Sequence, residues 1–196
     1  MSLDPKVSRL FVAIVPPDAV RAMLIAAQRE LKQVWPANSA AWTKPESMHL
    51  TLRFLGNVES TRIPELTENL GVRLAGFGEF AVVCEGLGCF PDLRYPRVVW
   101  ASVHDTDERL AHLYGRVDEA VQGFAEQPAE ERFVGHITLA RPKQIKRFTA
   151  EQLAQFVEHA ETPRLGEWRV LSVALIRSQL SAAGASYTEL FHANLR

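Results

Sequence analysis

An α+β fold of two similar halves around a central cleft is predicted by three features of this sequence. Short β-branched and aromatic runs alternate with amphipathic segments, the pattern His-x-Thr-Leu occurs twice, and the elements around its two copies follow a similar order. The 196 residues can bury a sizeable core. Hydrophobic residues at 47% and charged residues at 23% fit a globular chain and argue against disorder or a membrane class. A formal net charge of -1 excludes a broad electrostatic grip on duplex DNA or a membrane, which needs clustered Lys and Arg, and leaves only local basic patches.

Taken in order, Arg9 to Val15 (RLFVAIV) is rich in strand formers and stops at Pro16-Pro17, so it is predicted as a strand. Asp18 to Val34 places Val20, Met23, Leu24, Ala27 and Leu31 near a 3.6-residue period, with Asp18 set to cap or charge the start of a helix packed on the sheet. A loop with Pro36, Asn38 and Pro45 follows. Met48 to Leu55 (MHLTLRFL) then alternates as a strand that Gly56-Asn57 ends, with His49 inside it. A helix over Thr61 to Leu74 comes next. Strands at Phe80 to Leu87 and Arg97 to Val103 flank a turn at Pro91-Asp92 and are able to form a hairpin. Asp107 to Phe124 is an amphipathic helix, and Ala125 to Glu131 is a polar loop. Phe133 to Leu139 reads as a second histidine-bearing strand, Thr149 to His159 as a helix, and Trp168 to Leu180 and Tyr187 to Ala193 as strands. With no long linker and no short repeat, residues 1–196 read as a single domain of two intertwined lobes, each contributing one His-x-Thr-Leu strand. The apolar run Leu10 to Pro17 is too short to span a bilayer and follows no secretory signal, so a cytoplasmic location is expected. Cys84 and Cys89 do not make a disulfide framework and are expected to be reduced.

The repeated motif carries the chemistry. In His49-Leu50-Thr51-Leu52 and His136-Ile137-Thr138-Leu139, strand alternation turns each His and Thr to one face and the apolar residues to the other. Related by an approximate two-fold axis, the two pairs present two proton-transfer groups and two hydroxyls to one anionic group. One neutral imidazole takes a proton from water while a protonated one gives a proton to a leaving oxygen, which suits hydrolysis of a cyclic phosphodiester without a metal or other cofactor. A single His-x-Thr in a strand is ordinarily structural; two copies in matching halves reverse that reading. A zinc site lacks support, since no HExxH, Cys-x-x-Cys or carboxylate cluster accompanies the histidines. His104, His112, His159 and His192 have no partnered motif and are read as surface or packing residues, and Trp42 and Trp100 as core or cleft wall.

The stretches RLFVAIVPP, MHLTLRFLG, PRVVWASV (Pro96 to Val103), FVGHITLAR and LIRSQLSAAGASYTEL together resemble the RNA 2′,3′-cyclic phosphodiesterase family of bacteria and archaea, also called the 2′-5′ RNA ligase family, within the two-histidine (2H) phosphoesterases. The likeness covers nearly the whole chain. It implies a bilobal, pseudo-symmetric fold with antiparallel, concave sheets, helices on the outer faces, and both motifs lining the central cleft. It further implies hydrolysis of 2′,3′-cyclic phosphate ends to 2′-phosphates and weak, reversible 2′-5′ joining of RNA. His49 and His136 match the family's catalytic pair, Thr51 and Thr138 their phosphate-binding partners, and Arg141 a phosphate-contacting arginine. Alternation turns Arg141 away from the face of His136, so it is expected to reach the cleft past the strand end, where Pro142 breaks the pattern. Phe54 resembles an aromatic that stacks on the substrate base, with ordinary core packing as its alternative. Arg53, at i+4 from His49, is expected on the histidine face as a contact to RNA phosphate, or else as a solvated charge. Ser178 matches a family position in a late strand but is read as an ordinary strand serine. Gly135 stands where relatives usually carry Pro, which predicts a looser backbone before His136.

The mechanism expected from these residues has His136 as general base and His49 as general acid, with Thr51, Thr138 and Arg141 on the non-bridging oxygens. The expected partner is an RNA with a 2′,3′-cyclic phosphate end, tRNA fragments included, acted on by a monomer with no membrane and no obligate protein partner. Two alternatives stay open: a 2H phosphodiesterase acting on a small cyclic nucleotide or an ADP-ribose cyclic phosphate, and a non-catalytic module that binds RNA ends.

Overall fold

A computed structural model describes residues 6–93, 95–130, 132–143, 164–181 and 184–196. The predicted helix over Thr149 to His159 lies outside the described residues. Strand β1 (Val7–Ile14) leads through Pro16-Pro17 into helix α1 (Asp18–Val34), whose Asp18 makes no side-chain cap but charges the first turn and ion-pairs with Arg21. Of the expected apolar stripe, Val20, Leu24, Ala27 and Leu31 are buried, whereas Met23 is about half exposed. Strand β2 (Ala40–Trp42) was not predicted; its three residues sit among loop formers and gain strand geometry only by pairing with β6 (His136–Pro142). Strand β3 (Leu50–Glu59) starts one residue after His49 and runs through Gly56-Asn57, because Gly56 at φ +78° absorbs an irregularity in the ladder instead of ending it. Helix α2 (Ile63–Leu74), the hairpin of β4 (Phe80–Phe90) and β5 (Val98–His104), and helix α3 (Arg109–Ala120) follow as predicted, with shorter helices.

The predicted strand Trp168 to Leu180 is two strands, β7 (Arg164–Val170) and β8 (Ser172–Ser181), separated at Leu171; β9 (Gly184–Asn194) returns along β8. A continuous apolar pattern conceals this break, since both pieces are strand and only their partners differ. β7 pairs with β4, while β8 pairs with β1.

Among the described residues the strands form one antiparallel sheet in the order β7-β4-β5-β6-β3-β1-β8-β9, with β2 on β6. The order is symmetric about its centre, yet the two half-sheets are not the two halves of the sequence. β4 and β5 join β6 from later in the chain, and β8 and β9 join β1 and β3 from earlier, so the simple succession of elements seen in the sequence is interleaved in space. α1 packs against β6 and β7; α2 and α3 pack on each other, and against β9 and β3 respectively. One core runs behind the whole sheet, and Leu50, Leu55, Ile137, Leu139 and Leu175 within it are wholly buried. Each such side chain contributes about 1.5–3 kcal/mol by leaving water.

Candidate active site

The half-sheets meet where β3 and β6 start, and their recorded contact is the antiparallel pair Leu50 and Ile137. These are equivalent positions, one residue after each histidine, so the pseudo-two-fold axis passes between them. Antiparallel register then sets His49 opposite Thr138 and Thr51 opposite His136, all on the face away from buried Leu50 and Ile137. The two histidines occupy diagonal positions, which sheet geometry spaces about 7–8 Å apart along the backbone. They line one cavity of about 520 Å³ with Thr51, Thr138, Arg141 and Ser178.

Each ring is held from behind. His136 donates from Nδ1 to the carbonyl of Val134 at 2.8 Å, freeing Nε2 for proton transfer, and His49 is hydrogen-bonded to the backbone of Ser47, again two residues back. Aromatic walls complete the setting. Phe11 stacks on His49 at 4.6 Å between centroids and Tyr187 meets it edge-on at 5.3 Å, while Phe90 meets His136 edge-on at 5.0 Å with Trp100 beyond. Burial pushes His49 down to about 4, opposed by the Ser47 backbone and assisted by the charges of His136 and Arg141. Burial also lowers His136, opposed by the Val134 carbonyl and by Glu130 and assisted by Arg141.

Two bulges correct the strand-alternation readings. Across from β5, Leu139 is an extra residue between Thr138, which pairs with Trp100, and Ala140, which pairs with Val99. That extra residue turns Arg141 back to the face of His136, so it enters the cavity by the bulge and not by running past the strand end. On β3, Leu52 is the matching extra residue between Thr51 and Arg53 in the ladder with β1. Phe54, five residues after His49 as Arg141 is after His136, accordingly faces the cavity and is 53% exposed, which rules out core packing. Arg53 is on the wrong face for its expected role. It is 8% exposed, with Nε on Asp118 at 2.8 Å and further bonds to the carbonyls of Phe54 and Gln127, so its charge supports the bulge and is not offered to a ligand.

Gln28 was missed. It is buried in α1 and donates to the carbonyls of Leu139 at 2.7 Å and Thr43 at 2.8 Å, clamping the bulge that aims Arg141. The available signal was a polar residue between Leu24 and Leu31 on the apolar stripe. Gly135 does not loosen the backbone: a Cβ there would lie 2.3 Å from the Val103 carbonyl oxygen, and the Gly135 carbonyl accepts from the Val103 N–H at 2.9 Å. Trp42 packs edge-on against Trp35, as a core residue, while Trp100 lies over Gly88 beside His136. His104, His112 and His192 are exposed, and Cys84 and Cys89 are free and buried. No helix among the described residues is long and apolar enough to cross a membrane.

Proton transfer on both sides of a bound phosphate is what this surface can do, and phosphoesterases are the class to which fold and site point. Comparison with known proteins agrees. The model of LigT-like phosphoesterases matches twice, over residues 14–100 and 102–187, each span holding one His-x-Thr-Leu motif. The chain belongs to this family. It is 31% identical to an RNA 2′,3′-cyclic phosphodiesterase of Aquifex aeolicus over 93% of this chain and 95% of the relative, and 34% identical to one of Thermus thermophilus over 96% and 90%. A crystal structure of a Thermus thermophilus protein superposes with a TM-score of 0.77 at 29% identity, covering 96% of this chain and 98% of that one. Escherichia coli LigT bound to 3′-AMP shares the fold, with a TM-score of 0.75 at 24% identity over 96% and 98%.

Proposed function

We propose that this protein hydrolyses 2′,3′-cyclic phosphate ends of RNA to 2′-phosphates by acid–base catalysis from His49 and His136, without a metal. The observation that carries the reading is the Leu50–Ile137 pair, which brings two imidazoles and two threonine hydroxyls to one face of a shared cavity. Relatives of that name over most of the chain support the substrate. Water attacks phosphorus as the base takes its proton; the P–O3′ bond breaks as the acid protonates O3′. Thr51, Thr138 and Arg141 hold the non-bridging oxygens as charge builds on them. A 5′-hydroxyl attacking in place of water makes a 2′-5′ linkage by the same atoms.

Burial lowers both imidazoles, and their surroundings favour the roles opposite to those expected from the sequence. His49, held down to about 4, is neutral near pH 7 and suited to be the base, whereas His136 has the Glu130 carboxylate to favour its proton and is suited to be the acid. Free thiols, a compact monomer and action on RNA fragments, including those of tRNA, complete a cytoplasmic reading.

The test is turnover, in chelator, of a short RNA ending in a 2′,3′-cyclic phosphate, with identification of the product isomer. Wild type is expected to yield the 2′-phosphate, and His49→Ala and His136→Ala each to lose about 10²–10⁴-fold in kcat. Binding without turnover in wild type leaves the end-binding module; turnover confined to small cyclic nucleotides or an ADP-ribose cyclic phosphate leaves the small-substrate reading.

A further inference from the structure

The cavity holding the histidine pair is not alone. A second depression of about 340 Å³ opens beside it, walled by the stacked rings of Tyr114 and Phe133, 4.5 Å apart, and by the carboxylates of Glu126 and Glu130. Four residues line both spaces: Thr51, His136, Phe54 and Arg9. The first two face the reacting phosphate. Phe54 and Arg9 stand at the junction, away from the Leu50–Ile137 axis.

Arg9 belongs to no catalytic motif, and its placement is specific. On β1 it is two residues from Phe11 and so on the same, cavity-facing side; across the ladder it pairs with Ser178, which pairs in turn with Tyr187. It is exposed, and among the described residues its guanidinium makes no hydrogen bond or ion pair. The other cations lining these spaces are Arg53, committed to Asp118, and Arg141, which shares its cavity with both histidines. An unpaired guanidinium between two spaces of nucleoside size, beside an exposed aromatic ring, is suited to a phosphodiester joining two nucleosides. The carboxylates of the second depression repel phosphate and accept hydrogen bonds from nucleobase amino groups, so a base enters there while the phosphate stays at the junction.

Resting on the cyclic phosphodiesterase reading above, we propose that Arg9 binds the phosphodiester on the 5′ side of the terminal nucleotide, making Arg9 and the second depression a subsite for the RNA body. Such a subsite favours an RNA end over a free cyclic nucleotide bearing the same reactive group.

The experiment compares adenosine 2′,3′-cyclic phosphate with a trinucleotide carrying the same cyclic end, for wild type, Arg9→Gln and Arg9→Lys. In Arg9→Gln the preference in kcat/KM for the trinucleotide is expected to fall about tenfold, through KM, as one charge-assisted contact is lost. Arg9→Lys recovers part of it, and the salt dependence of the trinucleotide KM becomes shallower by about one unit of slope in Arg9→Gln. An equal loss on both substrates, or an unchanged preference, overturns the proposal. Equilibrium binding of the two 2′-phosphate products separates this result from the function reading. If wild type turns over neither substrate yet binds the trinucleotide more tightly by an Arg9-dependent margin, the catalytic reading fails and the subsite stands. If Arg9→Gln leaves that affinity ratio unchanged, the subsite fails whatever the turnover.

Discussion

His49 and His136 are chemically identical and nearly equivalent by symmetry, so their environments must make them different. Phe11 and Tyr187 enclose His49, whereas Glu130 offsets part of the burial of His136. Titration of both imidazoles by NMR is expected to show both depressed below the ordinary 6.5, His49 to about 4; a His49 that keeps its proton to higher pH than His136 would restore His136 as the base. The sign for activity follows. A base active when neutral gains as pH rises through about 4, an acid active when protonated fails as pH rises through the lowered His136 value, and kcat/KM peaks on the acid side of neutrality. Stability runs the other way across the same window. Both groups bind protons more readily unfolded than folded, so the folded state loses stability as pH falls from about 6.5 toward about 4, which denaturant unfolding at several pH values measures.

At the scale of the element, the bulges are what make two strands into a site. Without the extra residue at Leu139, Arg141 would face the core; without that at Leu52, Phe54 would. Each bulge is tied down by one buried polar side chain: Gln28 on the Leu139 carbonyl, Arg53 on the Phe54 carbonyl. Gln28→Leu keeps the volume of the helix face but removes the side-chain donor from the Thr43 and Leu139 carbonyls, leaving Leu139 only the Thr43 N–H, at a cost of about 1–3 kcal/mol. Because Gln28 touches no substrate, its effect on turnover is expected through Arg141. kcat/KM should fall about tenfold, and adding Arg141→Ala should cost much less than it does in the wild-type background. Full additivity in that double-mutant cycle would make Gln28 a purely structural residue.

For the whole molecule, interleaving ties the two half-sheets into one body. The chain crosses between them before and after β2, after β3 and at Leu171, and the core behind them is continuous. Thermal unfolding followed by tryptophan fluorescence and by far-UV circular dichroism is therefore expected to give one coincident transition. Leu50→Ala, at the seam of the sheet and wholly buried, should lower stability by about 2–5 kcal/mol and abolish turnover with the histidines intact, because it loosens the one register that opposes them. Two separated transitions would mean that the halves fold as independent units.

What the sequence by itself determined is the chemistry and most of the elements that carry it. The two His-x-Thr-Leu segments, their alternation over the first four residues, and the order of strands and helices are local properties, written in side-chain period and in turn-forming residues. What only the tertiary structure decided is everything past the first bulge. Arg141 and Phe54 face the cleft, Arg53 faces Asp118, one long apolar run becomes β7 and β8 in different half-sheets, and Arg9 comes to stand between two cavities. The physical reason is that a bulge is a property of a pair of strands and of whatever satisfies its displaced carbonyl. In β6 the donors are the Thr43 N–H and Gln28, the latter 111 residues away along the chain from Leu139, where no window of local periodicity reaches it.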